Sequence, residues 1–215
     1  MIQITEHHLS RMKVPKKHWG CQLSKIPDHC EHKAFIAEYT KNIAYNVSHQ
    51  KGLLLFGNYS TGKSGTAAII AKAAMSQGIW SCWLVGSRMP KYEIEKTMFD
   101  DNITMEERVQ SVPLLIIDEL ILQDHRYTEN SLERLVRSRI DDELCTIITT
   151  NLLPYKPKNA SAQQIAKIKG NTIEDRFPAM WAALSEAVLP KQIKGHDFRK
   201  GQQVQFLIDF KAARV

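Results

Sequence analysis

The sequence has few of the features that mark membrane, secreted or disordered chains. No apolar run approaches the roughly 18 residues that a membrane span needs, and the first residues lack the apolar stretch of a secretory signal. Charged residues make up 24% and hydrophobic residues 43% of the 215 residues, a balance that excludes a disordered chain. We therefore expect a globular protein with no membrane partner.

Cysteine is scarce and irregularly placed. The four cysteines, Cys21, Cys30, Cys82 and Cys145, follow no spacing that is typical of a disulfide framework. Their placement favours a reducing compartment, and we expect a cytoplasmic protein, in the host cytoplasm if the chain is phage-encoded.

Positive charge is concentrated at the two ends of the chain. Residues 1–52 carry 8 Lys and Arg against 4 Asp and Glu, residues 53–151 carry 10 against 14, and residues 152–215 carry 11 against 5. Basic ends around an acidic middle indicate a polyanionic partner such as nucleic acid, although ordinary solvated lysines give the same count.

Short apolar segments alternate with amphipathic ones, which predicts an α/β domain with a parallel sheet. The predicted strands are 52–57, 79–85, 113–117 and 145–149, with a final alternating segment at 203–210. The predicted helices are 31–49, 64–77, one or two within 92–112, 128–143 and 173–184. Residues 1–30, which prolines interrupt, are expected to be irregular.

A phosphate-binding loop follows the first predicted strand and precedes a helix. The run from Gly57 to Ser64 fits the P-loop pattern GxxxxGK[ST] in the structural context that this pattern requires. Glycines let backbone N–H groups surround phosphates, the lysine reaches the terminal phosphates, and the serine hydroxyl can ligate Mg²⁺. The predicted nucleotide-binding residues are Gly57, Asn58, Tyr59, Ser60, Thr61, Gly62, Lys63, Ser64 and Gly65.

Two carboxylates end the third predicted strand. Asp118 would hold Mg²⁺ together with Ser64, and Glu119 would act as the general base on the attacking water. A strand-end acid can also cap the next turn, but the P-loop upstream favours the catalytic interpretation. The pair predicts an ATP or GTP hydrolase, and because the chain has no guanine-specific NKxD motif we favour ATP.

The order of these motifs resembles a known family. LLLFGNYSTGKS, LLIIDEL, RSRIDDELCTIITTNL and IEDRF together resemble the AAA+ ATPases of the DnaC/DnaI/IstB-like helicase-loader family, over roughly residues 50–200. The resemblance implies a P-loop NTPase αβα sandwich with a mostly parallel five-stranded sheet. We expect a short N-terminal segment with the first core helix at 1–50 and the AAA+ core at 51–215, without the full helicase-binding domain of the family.

The resemblance also implies roles for three further residues. Asn151 matches the residue that senses the γ-phosphate, and Arg176 matches the arginine finger that acts on a neighbouring subunit's nucleotide. Arg199 lies where a second sensor arginine is expected, with nearby lysines as alternatives. A surface role is the alternative for Arg176.

DNA contacts are implied for two segments of this family. They contain Lys96, Phe99, Arg126 and Tyr127, whose cations and aromatic rings suit single-stranded DNA, although the rings can equally be packing residues. Arg134, Arg137 and Arg139 are interpreted as a solvated or inter-subunit face. Trp19 is interpreted as a core residue, with a place beside the adenine as the alternative.

The implied function is that of a replication protein. It would bind ATP and Mg²⁺, assemble into a homo-oligomeric spiral or ring, bind single-stranded DNA and help to load a replicative hexameric helicase. The alternatives are an IstB-type transposition regulator that binds duplex DNA and an ATP-gated adaptor or inhibitor of another protein.

Overall fold

The core of the protein is a parallel sheet of five strands. A computed structural model describes residues 2–86, 105–120, 126–156 and 172–194. The strands are β1 (Gly52–Phe56), β2 (Ser81–Val85), β3 (Leu114–Leu120), β4 (Cys145–Thr150) and β5 (Val188–Gln192). Their order is β2-β3-β4-β1-β5, and every neighbouring pair is parallel. The predicted α/β class and the number of strands are therefore confirmed.

Helices cover both faces of the sheet. They are α1 (Glu6–Arg11), α2 (His32–Lys41), α3 (Ile43–Ser48), α4 (Lys63–Ser76), α5 (Met105–Ser111), α6 (Arg126–Asp141), α7 (Ile173–Arg176) and α8 (Pro178–Ala187). Within the described ranges, no helix is long and apolar enough to cross a bilayer.

Two apolar layers result because side chains alternate along each strand. Leu53 and Leu55 of β1 pack with α1–α4, whereas Leu54 points into a second cluster with α5, α6 and α8. Both faces of the central strands are buried, which explains why β1 is apolar throughout, why β3 is apolar up to Asp118 and why β4 has only Cys, Ile and Thr. The arrangement is the predicted three-layer αβα sandwich.

The fifth strand differs from its prediction. Val188–Gln192 pairs with β1, whereas the predicted strand at 203–210 lies outside the described residues. The observed strand was missed because Pro190 and Lys191 occupy its middle. Proline is tolerated at a sheet edge, where one side of the strand makes no ladder bonds.

Two helical predictions and the prediction of an irregular N-terminal segment were also wrong in detail. The helix predicted at 31–49 is divided at Asn42, and the one predicted at 173–184 is divided at Phe177, before Pro178. The N-terminal segment contains the unpredicted α1, which begins with a reciprocal cap: Thr5 Oγ1 accepts from the His8 N–H, and the Thr5 N–H donates to His8 Nδ1. Histidine replaces the usual Glu or Gln of this motif, so its sequence signature was not evident.

Candidate functional site

The predicted site residues meet where three neighbouring strands end. Since the strands are parallel, the P-loop after β1, Asp118 of β3 and Asn151 after β4 lie at the same edge of the sheet. This edge opens into a cavity of about 740 Å³, a size that suits a nucleotide. Its walls include P-loop residues 59–66, Glu119 and Asn151.

The P-loop depends on left-handed backbone at three positions. Gly57 has φ +148°, Ser60 has φ +63° and Gly62 has φ +92°. A Cβ at Gly57 would collide with the carbonyl oxygen of Ile193, just after β5. Glycine is therefore required at position 57 for two reasons: its φ favours glycine, and a side chain would collide with the Ile193 carbonyl oxygen.

Lys63 bends back over the loop. It is only 8% exposed, and its Nζ donates to the carbonyl oxygens of Gly57 (3.0 Å) and Asn58 (2.6 Å). These bonds hold a buried ammonium at the cavity wall, next to the first turn of α4. An anion in the cavity would meet this charge together with the positive end of the 14-residue helix.

The acidic pair lies in a break of the β3–β4 ladder. Asp118 is 2% exposed, and its Oδ1 accepts a 2.6 Å hydrogen bond from Thr149 Oγ1. Glu119 has φ +55°, a left-handed conformation that is unfavourable for a residue with a side chain. Strained backbone of this kind is concentrated at functional sites, and here the Glu119 residue lines the cavity.

The N-terminal segment supplies a wall that the sequence did not reveal. Lys17, His18, Cys21, Lys25 and His32 all line the cavity. The His18 ring packs against the Trp83 ring with centroids 5.8 Å apart, and burial lowers its pKa although Asp118 opposes this shift. The basic and histidine-rich composition of residues 1–32 was the available signal, but nothing in it indicated which residues face the P-loop.

Trp19 belongs to the core. It packs against the apolar cluster on the α4 side of the sheet, and its Nε1 donates to the Val14 carbonyl oxygen at 2.8 Å. The interpretation of Trp19 as a core residue is correct, while its neighbours His18 and Gly20 are at the cavity.

Of the other predicted residues, the structure describes the side chains of Asn151 and Arg176. Asn151 lines the cavity, whereas Arg176 is exposed on α7 and is not among the lining residues of the described part of the chain. Lys96, Phe99 and Arg199 lie outside the described residues, as do the side chains of Arg126 and Tyr127 at the start of α6. Of the lysines near Arg199, Lys191 lies over the Phe35 ring at 4.4 Å and Lys194 pairs with Glu31 at 3.4 Å.

Burial of His32 makes stability dependent on pH. The side chain is 2% exposed, and burial lowers its pKa although a backbone hydrogen bond with Lys194 acts in the opposite direction. The unfolded chain therefore takes up a proton near pH 6.5 while the folded chain resists it, so stability is lost as the pH falls below about 6.5. We expect the midpoint of thermal unfolding to drop between pH 7.5 and pH 5.5, and His32→Phe to reduce that drop.

The control for this experiment is His29→Phe. His29 is exposed three residues away, so the variant should follow the wild-type pH profile. Identical profiles for His32→Phe and the wild type, measured by differential scanning fluorimetry, would contradict the role of His32.

Comparison with solved structures identifies the fold. The DnaC helicase loader superposes with a TM-score of 0.63 at 20% identity, covering 84% of this chain and 100% of that one. DnaI gives 0.62 at 16% identity, with 85% and 93% covered. The replication initiator DnaA bound to AMPPCP and single-stranded DNA gives 0.56 at 14% identity, with 85% and 51% covered.

This chain and these solved structures are similar in fold. No family model matches the sequence, and no curated protein matches it. The chain thus has the fold that the DnaC helicase loader, DnaI and DnaA share, which confirms the predicted resemblance at the level of structure.

Proposed function

We propose that this protein is an ATPase that hydrolyses ATP in the cavity at the carboxyl edge of its sheet. The observation that carries the proposal is the convergence of Lys63, Glu119 and Asn151 on one cavity of about 740 Å³. Three separate sequence motifs supply these residues, and the parallel strand order brings their ammonium, carboxylate and amide groups to one cavity. The neighbouring Asp118 is buried and ionisable at the same edge.

The residues fit a magnesium nucleotide. Ser64 at the cavity wall and the buried Asp118 offer the hydroxyl and carboxylate oxygens that Mg²⁺ prefers, and the backbone N–H groups of the lining residues 59–65 would surround the phosphates. The metal would neutralise phosphate charge. With a nucleotide bound, Lys63 would donate to phosphate oxygens in place of the Gly57 and Asn58 carbonyl oxygens.

The remaining roles follow from position. Glu119, at the cavity wall, would take the proton of the attacking water, and Asn151 would orient that water. Arg176 is exposed and is not among the described residues that line the cavity, which suits a guanidinium that stabilises transition-state charge on a neighbour's nucleotide. Hydrolysis would then depend on a homo-oligomer, a spiral or a ring.

The wider function that we propose is that of a replication AAA+ protein that binds single-stranded DNA and helps to load a replicative hexameric helicase. Its support is the fold shared with the DnaC helicase loader and with DnaA bound to single-stranded DNA. The basic ends of the chain agree with a nucleic-acid partner. Lys96, Phe99, Arg126 and Tyr127 remain the proposed DNA contacts, and Arg199 remains a proposed nucleotide contact.

Fluorescence anisotropy of labelled oligonucleotides tests this function. Single- and double-stranded probes are titrated with the protein in the presence of ATP, ADP or a non-hydrolysable ATP analogue, at two salt concentrations. We expect tight binding of the single strand only with the triphosphate forms, weakening with salt because each phosphate contact releases counterions. Lys63→Ala should abolish the nucleotide dependence.

Other outcomes identify the alternatives. Preference for the duplex would indicate a transposition regulator in place of a loader. Failure to bind either probe, with ATP turnover intact, would indicate an ATPase that acts on a protein.

A further inference from the structure

The β3–β4 ladder changes register beside the acidic pair. Ile117 is opposite Ile148 and Leu120 is opposite Thr150, so two residues of β3 share the single position of Thr149 on β4. Such a bulge removes a regular ladder bond and turns a side chain in a new direction. Glu119, the second residue of the bulge, is the one with φ +55°.

Thr149 replaces the missing ladder contact with its side chain. Its Oγ1 accepts from the Glu119 N–H at 2.9 Å and donates to Asp118 Oδ1 at 2.6 Å. The Glu119 N–H can only donate, so Thr149 Oγ1 accepts this bond and has its own hydroxyl proton to donate to Asp118. One buried hydroxyl, 1% exposed, therefore connects the backbone of Glu119 to the carboxylate of Asp118.

Gly86, which follows β2, encloses Glu119 from the opposite side. A Cβ at Gly86 would lie 2.9 Å from the Glu119 carbonyl oxygen and 3.2 Å from Leu120 Cα. The first distance is too short for a real side chain, and both neighbours are backbone atoms that cannot rotate away. The strained Glu119 backbone is thus held by a hydrogen bond from β4 and by close packing after β2.

We infer that Thr149 is a positioning residue for hydrolysis, acting through Glu119 and Asp118. The inference rests on the proposed ATPase function. Without the hydroxyl, the Glu119 N–H and the Asp118 carboxylate each lose a buried partner, and the left-handed backbone of Glu119 is free to relax. The general base would then move relative to the P-loop, whereas the loop itself makes no bond to Thr149 Oγ1 among the described contacts.

The test separates catalysis from nucleotide binding. Thr149→Val keeps the shape of the side chain and removes the hydroxyl, while Thr149→Ser keeps the hydroxyl. Because a misplaced catalytic group costs up to about 100-fold in rate, we expect Thr149→Val to lower kcat about 10- to 100-fold. The Kd for a fluorescent ADP analogue should stay within about threefold, and Thr149→Ser should keep at least about a third of the wild-type kcat.

Thr146→Val is the matched control for stability. Thr146 is buried near the start of β4, away from the end of the strand at the cavity, and its Oγ1 accepts a 3.0 Å hydrogen bond from Arg139 Nε. It should lower the unfolding temperature as Thr149→Val does, but lower kcat far less. Gly86→Ala pushes on Glu119 from the other side and should reproduce the loss of kcat at unchanged ADP affinity.

Four results would overturn the inference. They are a Thr149→Val kcat within threefold of wild type, equal losses in Thr149→Val and Thr149→Ser, a parallel loss of ADP affinity, and equal losses of kcat in Thr149→Val and Thr146→Val. A wild-type chain that binds ATP and never hydrolyses it would overturn the proposed function as well. Turnover by the wild type that Thr149→Val retains would overturn this inference alone.

Discussion

Replacing Glu119 by glutamine is expected to lower the rate of ATP hydrolysis by about 100- to 1,000-fold while leaving ATP binding intact. Glutamine has the size and shape of glutamate and carries the same cost at φ +55°, so the bulge and its bond to Thr149 should persist. Only the ability to accept a proton from water is lost. The ATP-bound state, and any assembly that depends on it, should accumulate.

The measurement is single-turnover hydrolysis together with titration of a fluorescent ATP analogue. Lys63→Ala is the contrasting variant, because removing the buried ammonium at the cavity wall should abolish binding as well as turnover. Unchanged turnover in Glu119→Gln would remove Glu119 from the role of general base. Loss of binding in the same variant would show that its carboxylate is needed to build the site.

A third variant examines the backbone strain at Glu119. Glycine adopts positive φ without steric cost, so Glu119→Gly should be inactive and yet lose less stability than the removal of a side chain normally causes. If Glu119→Gly is instead strongly destabilised relative to Glu119→Gln, the left-handed conformation carries little strain. The comparison of thermal unfolding midpoints decides between these outcomes.

Motifs with fixed spacing were predictable from the sequence, because their geometry is local. A strand, a loop with glycines at set positions and a helix start determine where Lys63 and Ser64 lie, whatever the rest of the chain does. The parallel strand order then brings Asp118 and Asn151 to the same edge. For this reason the convergence on one cavity agrees with expectations made from the sequence.

Supporting contacts were not predictable, since they depend on which distant residues become neighbours. In the sequence, Thr149 is one of several β-branched residues in a predicted buried strand. Only the bulge in the structure shows that its hydroxyl has a specific role. The N-terminal wall with Lys17, His18 and Cys21 is similar, because an irregular segment carries no periodicity that shows which side chains face inward. The edge strand β5 was not predicted because its composition, with Pro190 and Lys191, is not typical of a strand.

Arg139 is the largest single departure from the sequence interpretation. It was expected on a solvated or inter-subunit face, but it is completely buried and burial lowers its pKa to about 10. The guanidinium donates five hydrogen bonds: to the carbonyl oxygens of Val109, Gln110, Val112 and Cys145 and to Thr146 Oγ1, at 2.7–3.2 Å. Three of these carbonyls lie at the carboxyl end of α5, where a cation also meets the negative end of the helix dipole.

The five N–H groups of Arg139 donate to the four carbonyl oxygens and the Thr146 hydroxyl. No other side chain has five donors, so none can replace it. We expect Arg139→Met to destabilise the fold by about 3–5 kcal/mol, the cost of leaving buried polar groups without partners. For a chain of this size, that corresponds to a fall of roughly 10 °C in the unfolding midpoint. Arg139→Lys should recover little, since an ammonium has three donors and lacks the planar fork.

Arg134→Met is the matched control, because Arg134 lies on the same helix and is exposed, and its loss should change stability by no more than about 0.5 kcal/mol. Urea unfolding of the three variants gives the comparison directly. Equal stabilities for Arg139→Met and Arg134→Met would mean that the carbonyls of α5 find other partners. A large loss confined to Arg139 would establish that one buried guanidinium joins α5 to β4, the strand that carries Thr149 and leads to Asn151 at the cavity.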